Sequence, residues 1–160
     1  MKICIIGTGY VGLVTGACFA ELGHFVTCVD TDKSKIARLE MGEVPIYEPG
    51  IEDLVNQNQR VERLSFSTDL AQGMDGCDAA FIAVGTPSRE GDKHADVSRV
   101  FDVAESIADL ITRYTVVVTK STVPVGTGAQ LEEYLSERLD PSLFDVASNP
   151  EFLREGSAME

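Results

Sequence analysis

Hydrophobic and polar positions change period several times along this chain, and each change marks an element. Ile3-Cys4-Ile5-Ile6 is a short unbroken apolar run, β-branched enough for a strand covered on both faces, as parallel-sheet strands are. After a polar, glycine-rich break the spacing lengthens. Val14, Cys18 and Leu22 recur at helical spacing, Gly16, Ala17 and Ala20 allow close packing on a sheet, and Gly23 supplies a stop. Phe25-Val26-Thr27-Cys28-Val29 returns to a strand and ends at Asp30. Asp32-Lys33-Ser34-Lys35 then opens a second helix, carried by Ile36 and Leu39 and closed by Gly42.

The same reading continues to the end. Val44 to Gly50 is a loop rich in turn formers, and Glu52, Leu54 and Val55 resume a short helix. Leu64-Ser65-Phe66-Ser67 is a third strand, after which Thr68-Asp69 caps a short helix through Leu70 to Met74. Residues 79–84 form a buried fourth strand with a sharp exit at Gly85-Thr86-Pro87, and Arg89 to Asp96 is a polar loop. Val100, Val103, Ala104, Ile107, Leu110 and Ile111 fall on one face of a helix that starts at Val97. Residues 114–119 form a fifth strand, Leu131, Leu135 and Leu139 mark a helix, and residues 144–147 form a sixth, short strand. Strands alternating with helical crossovers of right-handed sense predict an α/β fold, a Rossmann-like doubly wound parallel sheet in the order 3-2-1-4-5-6.

The first break is the chemically informative one. In Gly7-Thr8-Gly9-Tyr10-Val11-Gly12, Gly7 serves the tight turn, Gly9 lets backbone approach a pyrophosphate, and Gly12 lets helix and strand pack closely. The helix that follows points unpaired N–H groups and its positive dipole end at an anion. Asp30, about twenty residues on, stands where a carboxylate accepts hydrogen bonds from both ribose hydroxyls of an adenosine. Strand, turn, helix, second strand and terminal acid in register point to dinucleotide binding. NAD fits better than NADP, because a 2'-phosphate would meet the Asp30 carboxylate and Thr31 and Asp32, not arginine, follow it. Lys35 is placed near the adenosine or is a solvated helix-start lysine, and spacing alone favours the second.

Composition removes several function classes. The chain has 160 residues, enough for one domain with a sizeable core, and 44% of them are hydrophobic. Twenty-six acidic against 13 basic residues give a net charge of −13, which argues against nucleic acid or an anionic membrane as partner. No apolar stretch approaches the roughly 20 residues of a membrane span, and Met1-Lys2 leads into a strand, not a signal peptide. Cys4, Cys18, Cys28 and Cys77 contain no C-x-x-C pair and are expected to be reduced core residues, as in a cytoplasmic protein. His24 and His94 have no partner at metal-ligand spacing, so no metal site is expected.

Three polar clusters share the carboxyl edge with the glycine turn: Thr86 after the fourth strand, Thr122 after the fifth, and Glu151 with Glu155 after the sixth. Ligands of open α/β sheets bind there, although loops at any sheet edge carry polar residues.

Together, the glycine turn, Tyr47-Glu48-Pro49-Gly50, Val84-Gly85-Thr86-Pro87-Ser88, residues 120–126 (Lys-Ser-Thr-Val-Pro-Val-Gly) and residues 149–155 (Asn-Pro-Glu-Phe-Leu-Arg-Glu) resemble the N-terminal domain of the UDP-glucose/GDP-mannose dehydrogenase family, in its UDP-glucose 6-dehydrogenase branch. The resemblance covers Met1 to Glu160. It implies oxidation of a nucleotide-sugar alcohol to a carboxylate with two NAD+, through an aldehyde and a cysteine-bound thioester. By the same resemblance, Gly7, Gly9, Tyr10, Val11, Gly12, Asp30 and Lys35 hold the adenosine half of NAD, and Thr86, Thr122 and Glu155 lie near the nicotinamide half. Glu151, Phe152 and Leu153 meet the sugar nucleotide, and Glu151 and Thr122 orient water and move protons.

The family nucleophile is a cysteine in a later glycine-rich segment followed by Pro-Lys-Asp, and no such segment occurs here. The expectation is therefore a truncated chain, residues 1–160 being the NAD-binding half without the connecting helix and UDP-binding domain. The resemblance further implies a homodimer or larger assembly through that helix. UDP-glucose is the favoured substrate, GDP-mannose the sibling. A stand-alone NAD-sensing module is the competing class; it needs the glycine turn and Asp30 but has no use for Thr122 or Glu151.

Overall fold

A computed structural model describes residues 1–87 and 95–158. Ser88, residues 89–94 of the expected polar loop, His94 among them, and Met159 and Glu160 lie outside the described residues. Six strands, β1 (Lys2–Ile6), β2 (Phe25–Val29), β3 (Leu64–Ser67), β4 (Ala79–Ile82), β5 (Thr115–Thr119) and β6 (Phe144–Ser148), pair in parallel in the order β3-β2-β1-β4-β5-β6. The expected order is the observed one. Every pairing requires a crossover, and the helices provide it: α1 (Tyr10–Glu21), α2 (Lys33–Glu40), α3 (Ile51–Arg60), α4 (Leu70–Met74), α5 (Ser98–Ala108) and α6 (Thr127–Ser136).

Side chains alternate across each strand, so one chain feeds two cores. Ile3 and Ile5 of β1 join Val26, Cys28, Leu64 and Phe66 in a cluster covered by α1, α2 and α3. Cys4 and Ile6 join Ala80, Ile82 and Val117 under α4, α5 and α6. Both faces are covered, which is why the central strands read as unbroken apolar runs. Helix α1 packs deepest. Gly12, Leu13, Val14, Gly16, Ala17 and Ala20 are buried, and a Cβ on Gly16 would lie 2.6 Å from the Cys28 sulfur.

Several helix starts follow local chemistry. Asp32 Oδ1 accepts from the Lys35 N–H at 3.0 Å, and Asp69 Oδ1 from the Ala71 N–H at 2.9 Å, satisfying donors that have no intrahelical partner. Several element ends differ from the sequence reading by one residue, and the largest differences are three. β4 stops at Ile82, two residues early, because the Val84 carbonyl accepts the Ser121 hydroxyl at 2.6 Å instead of joining the ladder. α5 ends at Ala108 with Leu110 and Ile111 in the turn beyond it, and α6 ends before Leu139.

Candidate functional site

β1 and α1 meet at the glycine turn. Gly7 has φ +104°, and a Cβ there would sit 2.6 Å from the Ala83 carbonyl oxygen, so both backbone conformation and the chain leaving β4 demand glycine. At Gly12 a Cβ would lie 1.9 Å from the Gly7 carbonyl oxygen. Beside this turn runs a cleft of about 600 Å³ at the carboxyl ends of β1, β2 and β4, lined by Gly7, Gly9, Asp30, Lys35, Leu70 and Val84, and on the α5 side by Arg99, Asp102, Val103 and Ser106. It is the crevice where strand order reverses.

Asp30 closes one end of the cleft. Its Oδ2 accepts the Thr8 N–H at 2.9 Å, the Thr8 hydroxyl at 2.7 Å and the Lys35 ammonium at 2.9 Å, while Oδ1 accepts the Asp32 N–H at 3.0 Å. Burial alone would raise the carboxyl's pKa; the Thr8 hydroxyl, the two N–H groups and Lys35 outweigh it and hold it at about 2. Oδ2 has its donors already. Oδ1, with one donor, keeps the greater capacity to accept a further hydrogen bond. Lys35 is no solvated helix-start lysine: the bend at residues 30–32 folds its ammonium back onto Asp30.

A second groove continues from the turn across β4 and β5. It is lined by Gly9, Tyr10, Val11, Gly85, Thr86, Lys120, Ser121, Thr122 and Glu151. Thr86 donates its hydroxyl to the Thr122 carbonyl at 2.8 Å, and the Lys120 ammonium donates to Asn149 Oδ1 at 3.0 Å, so the exits of β4, β5 and β6 are tied together. Glu151 is half-buried, and its Oε2 accepts the Leu153 N–H at 2.7 Å. Thr86, Thr122 and Glu151, separated by up to 65 residues in sequence, thus share one groove with Gly9. Glu155 stands outside it, exposed, beside Tyr10, Ile46 and Tyr47. Phe152 is 91% exposed, whereas Leu153 packs against the core under α1.

A cleft at the sheet's reversal point, a glycine turn feeding an apolar helix, and a terminal acid on β2 define a dinucleotide domain; comparison with known proteins gives its family. The model of the UDP-glucose/GDP-mannose dehydrogenase family, NAD binding domain, matches residues 1–160. The chain belongs to that family. UDP-glucose 6-dehydrogenase of Rhizobium meliloti (strain 1021) is 54% identical over 160 residues, which are all of this chain and 37% of that protein. The structure of a UDP-glucose dehydrogenase from Pyrobaculum islandicum superposes with a TM-score of 0.91 at 42% identity, over 98% of this chain and 37% of the other. A GDP-mannose dehydrogenase from Pseudomonas aeruginosa does so with 0.89 at 36% identity, over 99% and 38%. The chain therefore spans a little over a third of the length of these relatives.

The residues of this NAD-binding domain fit the cofactor. Helix α1 starts at Gly9 with no side-chain cap and no acid in its first turn, and a Cβ built on Gly9 meets nothing within 4 Å. The start of the helix, at Gly9, Tyr10 and Val11, borders the open groove, and the unpaired N–H groups of a first turn suit a pyrophosphate there. Among the described residues no group of three or more His, Cys, Asp or Glu could hold a metal ion, and no helix is long and apolar enough to cross a membrane.

Sequence reasoning missed two site residues. Thr8, 1% exposed, grips Asp30 through both backbone and hydroxyl, and nothing in its position between two glycines signals that. Glu48, 5% exposed, accepts the Tyr10 hydroxyl at 2.5 Å. Burial and then the Glu48 hydrogen bond push the Tyr10 phenol up to about 12. Glu48 lies in a motif singled out above, but as a loop signature, without a role.

Proposed function

We propose that this chain is the NAD-binding half of a nucleotide-sugar 6-dehydrogenase that oxidises UDP-glucose to UDP-glucuronate. The observation that carries the reading is the convergence of Thr86, Thr122 and Glu151 beside Gly9, in a groove continuous with the dinucleotide cleft. A bare cofactor-sensing module needs the cleft but not this groove. NAD+ supplies the hydride acceptor, two equivalents being consumed in going from alcohol to acid.

The chain's own residues supply position and proton handling. Gly7, Gly9, Tyr10, Val11 and Gly12 present backbone to the pyrophosphate, and Asp30 Oδ1, backed by Lys35 and Thr8, takes a ribose hydroxyl. Thr86 holds the Thr122 carbonyl and so sets the loop that brings Thr122 to the groove, where its hydroxyl would help to orient water and move protons. Glu151 has Oε2 on the Leu153 N–H, and Oε1 is the oxygen that takes a proton from water attacking a cysteine thioester. Phe152 and Leu153 flank the sugar nucleotide, and Glu155 reaches the nicotinamide side from the adjoining groove. The nucleophilic cysteine belongs to a later part of the protein, as does the helix that pairs two copies, and the enzyme acts in the cytoplasm. UDP-glucose is preferred to GDP-mannose because the 54% identical relative is a UDP-glucose 6-dehydrogenase.

Glu151→Gln in the full-length protein tests this, because it keeps the shape and removes the proton acceptor. With UDP-glucose and NAD+, turnover is expected to fall on the order of 10²-fold or more, with a burst of NADH and an acyl adduct detectable by mass spectrometry. Near-normal turnover without an adduct would leave Glu151 as the acceptor of the Leu153 N–H alone.

A further inference from the structure

Glu48 is a buried carboxylate that no step above uses. Buried carboxylates are costly unless charge-assisted hydrogen bonds compensate, and among the described residues Glu48 accepts three from remote parts of the chain. Oε2 accepts the Tyr10 hydroxyl at 2.5 Å and the Gly156 N–H at 2.7 Å, and Oε1 accepts the Ala158 N–H at 2.8 Å. Tyr10 is the first residue of α1 and lines the groove of Thr122 and Glu151. Its hydroxyl also lies 3.4 Å from the Arg154 carbonyl. Gly156 and Ala158 belong to the segment that leaves β6 and carries Glu151 and Glu155. One carboxylate therefore joins the dinucleotide turn to the segment that brings the acids.

We propose that Glu48 is a positioning residue, which latches the segment 151–158 onto the first turn of α1 and thereby sets where Glu151 stands in the groove. This rests on the proposed role of Glu151. Apolar packing alone does not fix the segment: Leu153 and Ala158 rest on the core under α1, whereas Arg154 and Glu155 are exposed and Glu151 is half-buried. Both backbone donors need an acceptor at a defined place, and Glu48 offers two oxygens from a loop held by the turn at Pro49-Gly50, where Gly50 has φ +82°. Glutamine cannot replace it. These three partners donate, and whichever oxygen becomes an amide leaves the Gly156 or the Ala158 N–H facing another donor.

Amide exchange read by NMR on this chain tests the latch, and kinetics on the full-length protein test what it positions. In the wild type the Gly156 and Ala158 amides should be protected. In Glu48→Gln at least one of them should exchange about tenfold faster or more, with the β1 and β4 amides unchanged as the control for folding. Tyr10→Phe should spare Ala158, whose acceptor is the other oxygen. In the full-length protein Glu48→Gln should lower kcat about tenfold or more while the KM for NAD+ moves less than about threefold, a split that general destabilisation does not produce. Unchanged protection of both amides in Glu48→Gln overturns the latch, and unchanged kcat overturns its positioning role. If the wild-type full-length protein makes no NADH from UDP-glucose, the proposed function fails instead, and the amide exchange alone decides for or against the latch.

Discussion

Asp30 shows how one side chain joins cofactor choice to stability. A carboxylate beside the ribose repels a 2'-phosphate, so Asp30→Ala should narrow the preference of this chain for NADH over NADPH in calorimetric titration. Equal affinity for the two in the unmodified chain would remove Asp30 from that role. The same group makes the fold acid-sensitive. Its folded pKa, about 2, lies below the ordinary 3.8, so its contribution is complete above about pH 4 and is lost as pH falls through the folded value. The full shift would correspond to on the order of 2 kcal/mol, and solvent screening at this partly exposed carboxylate reduces it. Urea unfolding of wild type and Asp30→Asn between pH 5 and pH 2.5 should show the difference in stability shrinking as pH falls. Asp30 itself was legible from its distance to the glycine turn. Thr8 and the Lys35 contact were not, because each depends on how the chain bends back at residues 30–32.

At the scale of elements, helix α1 is the part most tightly specified. Its N-terminal turn is squeezed between β1 and β4, and Gly12→Ala would place a carbon 1.9 Å from the Gly7 carbonyl oxygen, backbone that cannot yield cheaply. We expect a loss of about 3 kcal/mol or more in urea unfolding. Gly128 in α6 is the contrast. A Cβ there meets nothing within 4 Å, so Gly128→Ala should be neutral or stabilise by up to about 1 kcal/mol, and a substantial loss would mean that α6 is packed more closely than the structure has it. Helices and strands were readable because burial on one face or two imposes a period on the sequence. Their ends were less so. β4 stops where the Ser121 hydroxyl takes the Val84 carbonyl, an event set by a residue 37 positions away.

For the whole molecule, the dinucleotide cleft draws on the ends of β1, β2 and β4, the starts of α1 and α2, and α5, while among the described residues no cysteine lines the groove of Thr122 and Glu151. Cys4, Cys28 and Cys77 are buried and Cys18 is half-buried, and burial raises all four thiols, Cys28 to about 12, so none is a thiolate at neutral pH. This chain should therefore fold and bind NADH weakly, yet give no NADH on incubation with NAD+ and UDP-glucose. Circular dichroism, calorimetry and an absorbance assay check the three parts, and substrate-dependent NADH from the pure chain would contradict the third. By itself the sequence determined the period of each element, the βαβ turn and its acid, and hence the sheet order, because these follow from local periodicity and from the handedness of parallel crossovers. Only the tertiary structure decided which polar side chains meet. Thr86, Thr122 and Glu151 converge because three strands end side by side, Glu155 is left in the next groove, and Glu48 becomes a junction because the segment after β6 returns over α1. Such contacts join residues tens of positions apart, and no period along the chain records them.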